Sequence, residues 1–158
     1  MTRSAVVIVT STRAARGLYE DKTGPVIVAW LLARGFEAST PTLVEDGPDV
    51  AAALNKALAG QPDLVVTTGG TGIGADDVTA DATAAVLQKN LPGFNEELRR
   101  RGAATTPFAL MSRGVAGIAG STFVVNLPGS AGGVRDGLQL LGEVVDHVLD
   151  QLAGGAHD

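Results

Sequence analysis

The chain has 158 residues, 45% of them hydrophobic and only 18% charged, with a net charge of −5 and no cysteine. These values fit one domain, residues 1–158, with a sizeable core; they exclude a basic nucleic-acid face, disulfides, thiolate nucleophiles and Cys-ligated zinc. No apolar run approaches the roughly 18 residues a membrane span needs, so a cytoplasmic protein without nucleic-acid or membrane partners is expected, and its charge-poor surface points to self-association.

In chain order, Ala5-Val6-Val7-Ile8-Val9 is rich in β-branched residues and reads as a strand covered on both faces. A polar loop leads to Thr23, read as the N-cap of a helix opened by Gly24-Pro25 and ending near Gly35. Phe36 to Val44 reads as a second, weaker strand. Asp46-Gly47-Pro48-Asp49 forms the next loop, followed by a helix with Val50, Ala53, Leu54, Ala57 and Leu58 on one face. Asp63 to Thr67 makes the third strand. Beyond a glycine loop, Thr79 or Asp81 is expected to cap a short helix, and Pro92-Gly93 to start another over Phe94–Arg101. Pro107 to Arg113 reads as a helical turn, and Val115–Ile118 with Thr122–Leu127 as a hairpin. The last helix carries Val134, Leu138, Leu141, Val145, Val148 and Leu152 inward. The class is α/β: three layers, a mostly parallel sheet with helices on both faces, and a late antiparallel hairpin.

The chemistry concentrates at Thr67-Thr68-Gly69-Gly70-Thr71-Gly72-Ile73-Gly74-Ala75-Asp76-Asp77-Val78-Thr79. Glycines remove Cβ from the loop, so backbone approaches a ligand closely and takes positive φ. N–H groups and threonine hydroxyls at a strand end favour anionic oxygens. Carboxylates beside phosphate donors suggest a phosphorylated ligand with a divalent metal. Asp46 and Asp77 close the loops after the second and third strands; adjacent strand ends in a parallel sheet lie about 5 Å apart, so both acids are expected to converge on one Mg²⁺. Both acids also read as helix caps. Asn126-Leu127-Pro128-Gly129-Ser130 reads as a turn with Ser130 as N-cap of the last helix, and as a second anion site. Arg99, Arg100 and Arg101 read as a solvated helix face from which one arginine could reach a phosphate. A dinucleotide fingerprint fits poorly, because no strand-end acid follows at the right distance, and no Gly-Lys-Ser/Thr completes a P-loop.

These elements, taken in order, resemble the molybdopterin-binding adenylyltransferases of molybdenum-cofactor biosynthesis, whose fold recurs in a gephyrin domain. The resemblance rests on Ser11-Thr12-Arg13, Tyr19-Glu20-Asp21-Lys22-Thr23-Gly24-Pro25, Asp46 and Thr67-Thr68-Gly69-Gly70-Thr71-Gly72 with Asp77-Val78-Thr79. It continues through Pro92-Gly93-Phe94 with Glu96 and Arg99, Ser112-Arg113, and Asn126-Leu127-Pro128-Gly129-Ser130. Ala80 and Ala131 stand where the family often has proline, which bears on loop stiffness rather than chemistry.

The resemblance implies a homotrimer that binds molybdopterin and activates it with ATP, and a molybdate-inserting enzyme as a further partner. The expected reaction is transfer of AMP from Mg·ATP to the phosphate of molybdopterin; the alternative is a non-catalytic carrier of the same family. Asp46 and Asp77 are the expected catalytic and metal residues. Ser11, Asp21, Thr68, Gly69, Gly70, Thr71, Gly72, Asn126, Pro128, Gly129 and Ser130 are the expected substrate and nucleotide contacts.

Overall fold

Side-chain alternation divides the apolar strand sequences between two cores. The computed structural model describes residues 2–155. In chain order its elements are β1 (Ser4–Thr10), α1 (Thr12–Ala15), α2 (Thr23–Ala33), β2 (Glu37–Ala38), β3 (Thr42–Val44), α3 (Asp49–Ala59) and β4 (Leu64–Thr68). Then follow α4 (Thr79–Val86), β5 (Lys89–Asn90), α5 (Pro92–Ala103), a 3-10 turn (Pro107–Met111), β6 (Ala116–Ala119), β7 (Thr122–Leu127) and α6 (Ala131–Leu152). Ala5, Val7 and Val9 of β1 join Leu64 and Val66 of β4 and Phe123, Val125 and Leu127 of β7 under α2, α5 and α6. Ile8, Val65 and Val124 point the other way, onto α3 and α4. Each fully buried Leu or Val in these layers contributes about 1.5–3 kcal/mol. The result is the expected three-layer α/β fold.

The sheet runs β2-β1-β4-β7-β6-β5, with β3 also on β1. Pairings are parallel from β2 and β3 through β1 and β4 to β7, and antiparallel for β7–β6 and β6–β5. The single second strand expected over Phe36–Val44 is two short pieces on the same edge of β1. Pro41 lies between them and has no N–H to give the ladder. The two-residue β5 is short, polar and exposed, and carries no periodic signal.

Strand order corrects one geometric expectation. β3 and β4 flank β1 and are not neighbours, so the loops bearing Asp46 and Asp77 start about 10 Å apart, two strand spacings and not one. The chain leaves β1 towards the β2/β3 edge and returns to β4 on the other side. The carboxyl ends of β1 and β4 therefore flank the topological switch point, where ligands bind in open α/β sheets.

Several caps differ from expectation. Thr23 lies inside α2, whose first turn is held by Asp21, with Oδ1 accepting from the Gly24 N–H at 3.0 Å. Neither Thr79 nor Asp81 caps α4: the Thr79 hydroxyl points to that of Thr10 at 3.3 Å, and Asp81 pairs with Arg113. Ser130 does cap α6, accepting from the Gly133 N–H at 3.1 Å. Pro92 sits in the first turn of α5, where a missing N–H costs nothing. Phe94 meets Phe123 edge-on at 6.5 Å and pins α5 to β7. That contact sets where the rest of α5 faces.

Candidate active site

The glycine loop is shaped by two positions that no other residue fits. Gly69 (φ +90°) and Gly70 (φ +68°) occupy left-handed backbone. A Cβ on Gly69 would strike the Thr10 carbonyl oxygen, and one on Gly70 the Thr79 hydroxyl. The loop is thereby pressed against the end of β1. It is also tied to β7: the Thr68 hydroxyl donates to the Pro128 carbonyl at 2.7 Å and the Gly69 N–H to the Leu127 carbonyl at 3.1 Å. Gly129 backs onto Gly69, where an added Cβ would lie 3.3 Å from the Gly69 Cα. The two motifs, sixty residues apart in sequence, form one floor.

Beyond this floor opens a cavity of about 560 Å³. Thr71, Gly72, Pro128, Gly129 and Ser130 line it, as do Asn95 and Arg99 of α5, Ser112, and Arg135 of α6. Thr68, Gly69 and Gly70 lie beneath it, and the Gly69 N–H and the Thr68 hydroxyl proton are spent on β7 rather than available to an anion. The Asn126 side chain is engaged inside the fold. It is fully buried; its Nδ2 donates to Thr67 (2.9 Å) and Thr83 (3.0 Å), and its Oδ1 accepts from the Val115 N–H at 3.1 Å. That side chain has spent its donors and holds β7, β4 and α4 together.

The remaining expected contacts lie elsewhere. Ser11 caps α1 through the Ala14 N–H at 3.2 Å, and Asp21 is tied to the Gly24 N–H in the first turn of α2; neither lines the cavity. Asp46 does not cap α3. Its Oδ2 accepts from the N–H and hydroxyl of Thr12 at 3.2 and 2.9 Å, which anchors it at the end of β1. Asp77 does not cap α4 either; its Oδ2 folds back to the Gly74 N–H at 2.9 Å. A Cβ on Gly72 or Gly74 would come within 2.8 or 2.9 Å of that carboxylate, so these glycines admit it into the loop.

Arg113 braces the same loop. Its Nε donates to the Gly72 carbonyl (2.9 Å), its Nη2 to the Asp77 carbonyl (2.7 Å), and both Nη groups to Asp81 at 3.1 Å. The guanidinium holds the Asp81 carboxyl below its ordinary range. The loop bearing Asp77 is thus fixed at both ends by one side chain.

Of the α5 wall, the sequence pointed to Arg99 but not to Asn95. Asn95 and Arg99 are four residues apart and share a face, whereas Arg100 and Arg101 turn to Glu97 and Arg101 also to Glu143. Arg99 is half-buried, its Nη1 donating to the Ser112 carbonyl at 3.2 Å. Neither Arg99 nor Arg135 has a carboxylate partner among the described residues. An overall acidic chain therefore places two unneutralised cations at one cavity, opposed by Asp136. The helical spacing of Asn95 and Arg99 was the available signal.

No group of three or more His, Cys, Asp or Glu among the described residues is arranged to hold a metal. Asp46 and Asp77 each have one carboxylate oxygen without a hydrogen bond among those residues. Such a donor set fits a Mg²⁺ that draws the rest of its shell from phosphate and water, and not a dedicated cage.

Fold and cavity define a class: an α/β domain whose cavity, lined by Arg99 and Arg135, opens beside loops at the carboxyl ends of its central strands. The family described as "Probable molybdopterin binding domain", of molybdenum cofactor biosynthesis, matches residues 6–147. The chain belongs to that family. It is 36% identical over 152 residues to the molybdopterin adenylyltransferase of Helicobacter pylori, covering 94% of this chain and 86% of that protein. It is 37% identical over 154 residues to a molybdenum cofactor biosynthesis bifunctional protein of Synechococcus elongatus, covering 97% of this chain but only 48% of that one. The chain therefore spans about half the length of such bifunctional relatives. The solved molybdopterin biosynthesis Mog protein from Mycobacterium ulcerans superposes with a TM-score of 0.92 at 50% identity, over 96% of this chain and 99% of that one.

Proposed function

We propose that the protein transfers AMP from Mg·ATP to the terminal phosphate of molybdopterin, releasing pyrophosphate. The observation that carries this reading is the cavity whose floor joins the glycine loop to the Pro128–Ser130 turn and whose wall carries Arg99 and Arg135, neither with a carboxylate partner among the described residues. Relatives named molybdopterin adenylyltransferase support the choice of reaction.

A phosphate monoester has its second pKa near about 6 and is a ready nucleophile at neutral pH. An oxygen of that phosphate attacks the α-phosphorus of ATP, the bond from Pα to the bridging oxygen of Pβ breaks, and pyrophosphate leaves with the electron pair. No proton need be removed from the nucleophile, so catalysis is positioning and charge neutralisation. In this reading Arg99 and Arg135 neutralise phosphate charge, the Thr71–Gly72 and Pro128–Ser130 backbone orients the reacting groups, and Arg113 keeps the Asp77 loop in register. A Mg²⁺ held by Asp46 and Asp77 would neutralise the triphosphate. A homotrimer, a cytoplasmic location and a molybdate-inserting partner belong to the same proposal.

The test is incubation with molybdopterin, ATP and Mg²⁺, scoring adenylylated molybdopterin and pyrophosphate. Asp77→Asn is expected to keep molybdopterin affinity and lose about 10²–10³-fold in turnover. Near-normal turnover in that variant sinks the metal role; binding without product in the wild-type protein sinks the enzyme.

A further inference from the structure

Buried side-chain polar groups among the described residues are paired, with one exception. Thr67, Thr83, Thr122 and Asn126 all have partners in the core. The Oδ1 of Asn95 has none among the described residues. Asn95 is 4% exposed and lies on the wall of the cavity. Its Nδ2 donates to the Asn126 carbonyl at 3.2 Å, which fixes the end of the amide that is oxygen. Gly114 packs beside the same nitrogen, where an added Cβ would come within 2.9 Å, so the amide has little room to turn. Buried acceptors are almost always satisfied, and one left over beside a ligand cavity marks a place for a ligand donor.

Its neighbourhood narrows the ligand. Arg99 stands one helical turn along the same wall and offers a cation. Provided that the cavity holds a substrate of the proposed adenylyl transfer, Asn95 brings an unpaired acceptor to this wall and Arg99, beside it, a charge for a phosphate. We infer that Asn95 Oδ1 accepts a hydrogen bond from the exocyclic amino group of an amino-substituted nitrogen heterocycle and so distinguishes amino from oxo rings. An oxo ring would set a second acceptor against Oδ1, leaving both unpaired and mutually repelled. Both substrates of the proposed reaction carry such an amino group, one on the pterin and one on adenine.

Two ligand pairs separate these sources. Binding of 6-hydroxymethylpterin against 6-hydroxymethyl-lumazine, and of ATP against ITP, is measured by calorimetry on the wild-type protein, Asn95→Leu and Asn95→Asp. Both variants lose the bond to Asn126, but Asn95→Asp keeps an acceptor, so a purely structural role would move them together. The wild-type protein is expected to prefer the amino ring of one pair about 10- to 100-fold. Asn95→Leu should abolish that preference and Asn95→Asp should retain it; Asn95→Ala replaces Asn95→Leu if the latter is not recovered folded. The pair that responds identifies the ring. A preference that survives Asn95→Leu, or no preference in the wild-type protein, overturns the inference while adenylyl transfer stands. Failure of the wild-type protein to form adenylylated molybdopterin removes the function itself.

Discussion

Replacing Asn126 by leucine separates the role its buried position dictates from the one its motif suggests. Leucine keeps the branching at Cγ and removes three side-chain hydrogen bonds, to Thr67 (2.9 Å), Thr83 (3.0 Å) and the Val115 N–H (3.1 Å). Thr83 keeps its bond to the Thr79 carbonyl at 2.8 Å and suffers least. The Val115 N–H and the Thr67 hydroxyl lose a partner within the fold. With two groups left unpaired at about 1–3 kcal/mol each, the sum is about 2–6 kcal/mol. Set against a total stability of about 5–15 kcal/mol, the variant is still mostly folded in the cold. Its melting temperature should fall by about 4–24 °C, given roughly 2–4 °C per kcal/mol for a chain of this size. Urea unfolding followed by circular dichroism measures the loss, with an unchanged slope showing that the unfolded state is the same. Ligand affinity measured at low temperature should stay within about threefold of wild type, since no side-chain donor of Asn126 is left for a ligand. A midpoint shift below about 1 kcal/mol together with lost affinity would show that the side chain serves the ligand and that the buried assignment is wrong.

Two further outcomes follow from the same geometry. Gly69→Ala should abolish turnover and lower stability by about 2 kcal/mol or more, because its Cβ meets the immovable Thr10 carbonyl at positive φ; turnover assay and urea titration check both, and a fully active, stable variant refutes the close approach. Arg100 and Arg101 lower the Glu97 carboxyl to about 2. Its folded pKa lies below its unfolded value of 4.5, so its contribution is present above pH 4.5 and lost as pH falls towards 2. Glu97→Gln should flatten the acid limb of stability in that window, and an unchanged acid limb in melting curves from pH 5 to pH 2 counts against the pairing.

Local pattern made much of this protein legible before any fold was known. β-branched runs marked β1, β4 and β7 because a strand covered on both faces needs apolar residues at every position. The spacing of Val134, Leu138, Leu141 and Val145 marked α6 because its inward stripe repeats with the helical turn. Glycines at 69 and 70 announced a loop that only glycine can make. Strand order, by contrast, is a property of the whole packing. It placed β1 between the loops of Asp46 and Asp77, a separation that no spacing along the chain encodes. The same packing turned Asn126 into a buried tie and brought Asn95 and Arg99 from α5 to face Pro128–Ser130. Periodicity reports which face of an element is apolar. What that face meets, and which polar groups are left over to bind, is decided only when the layers close.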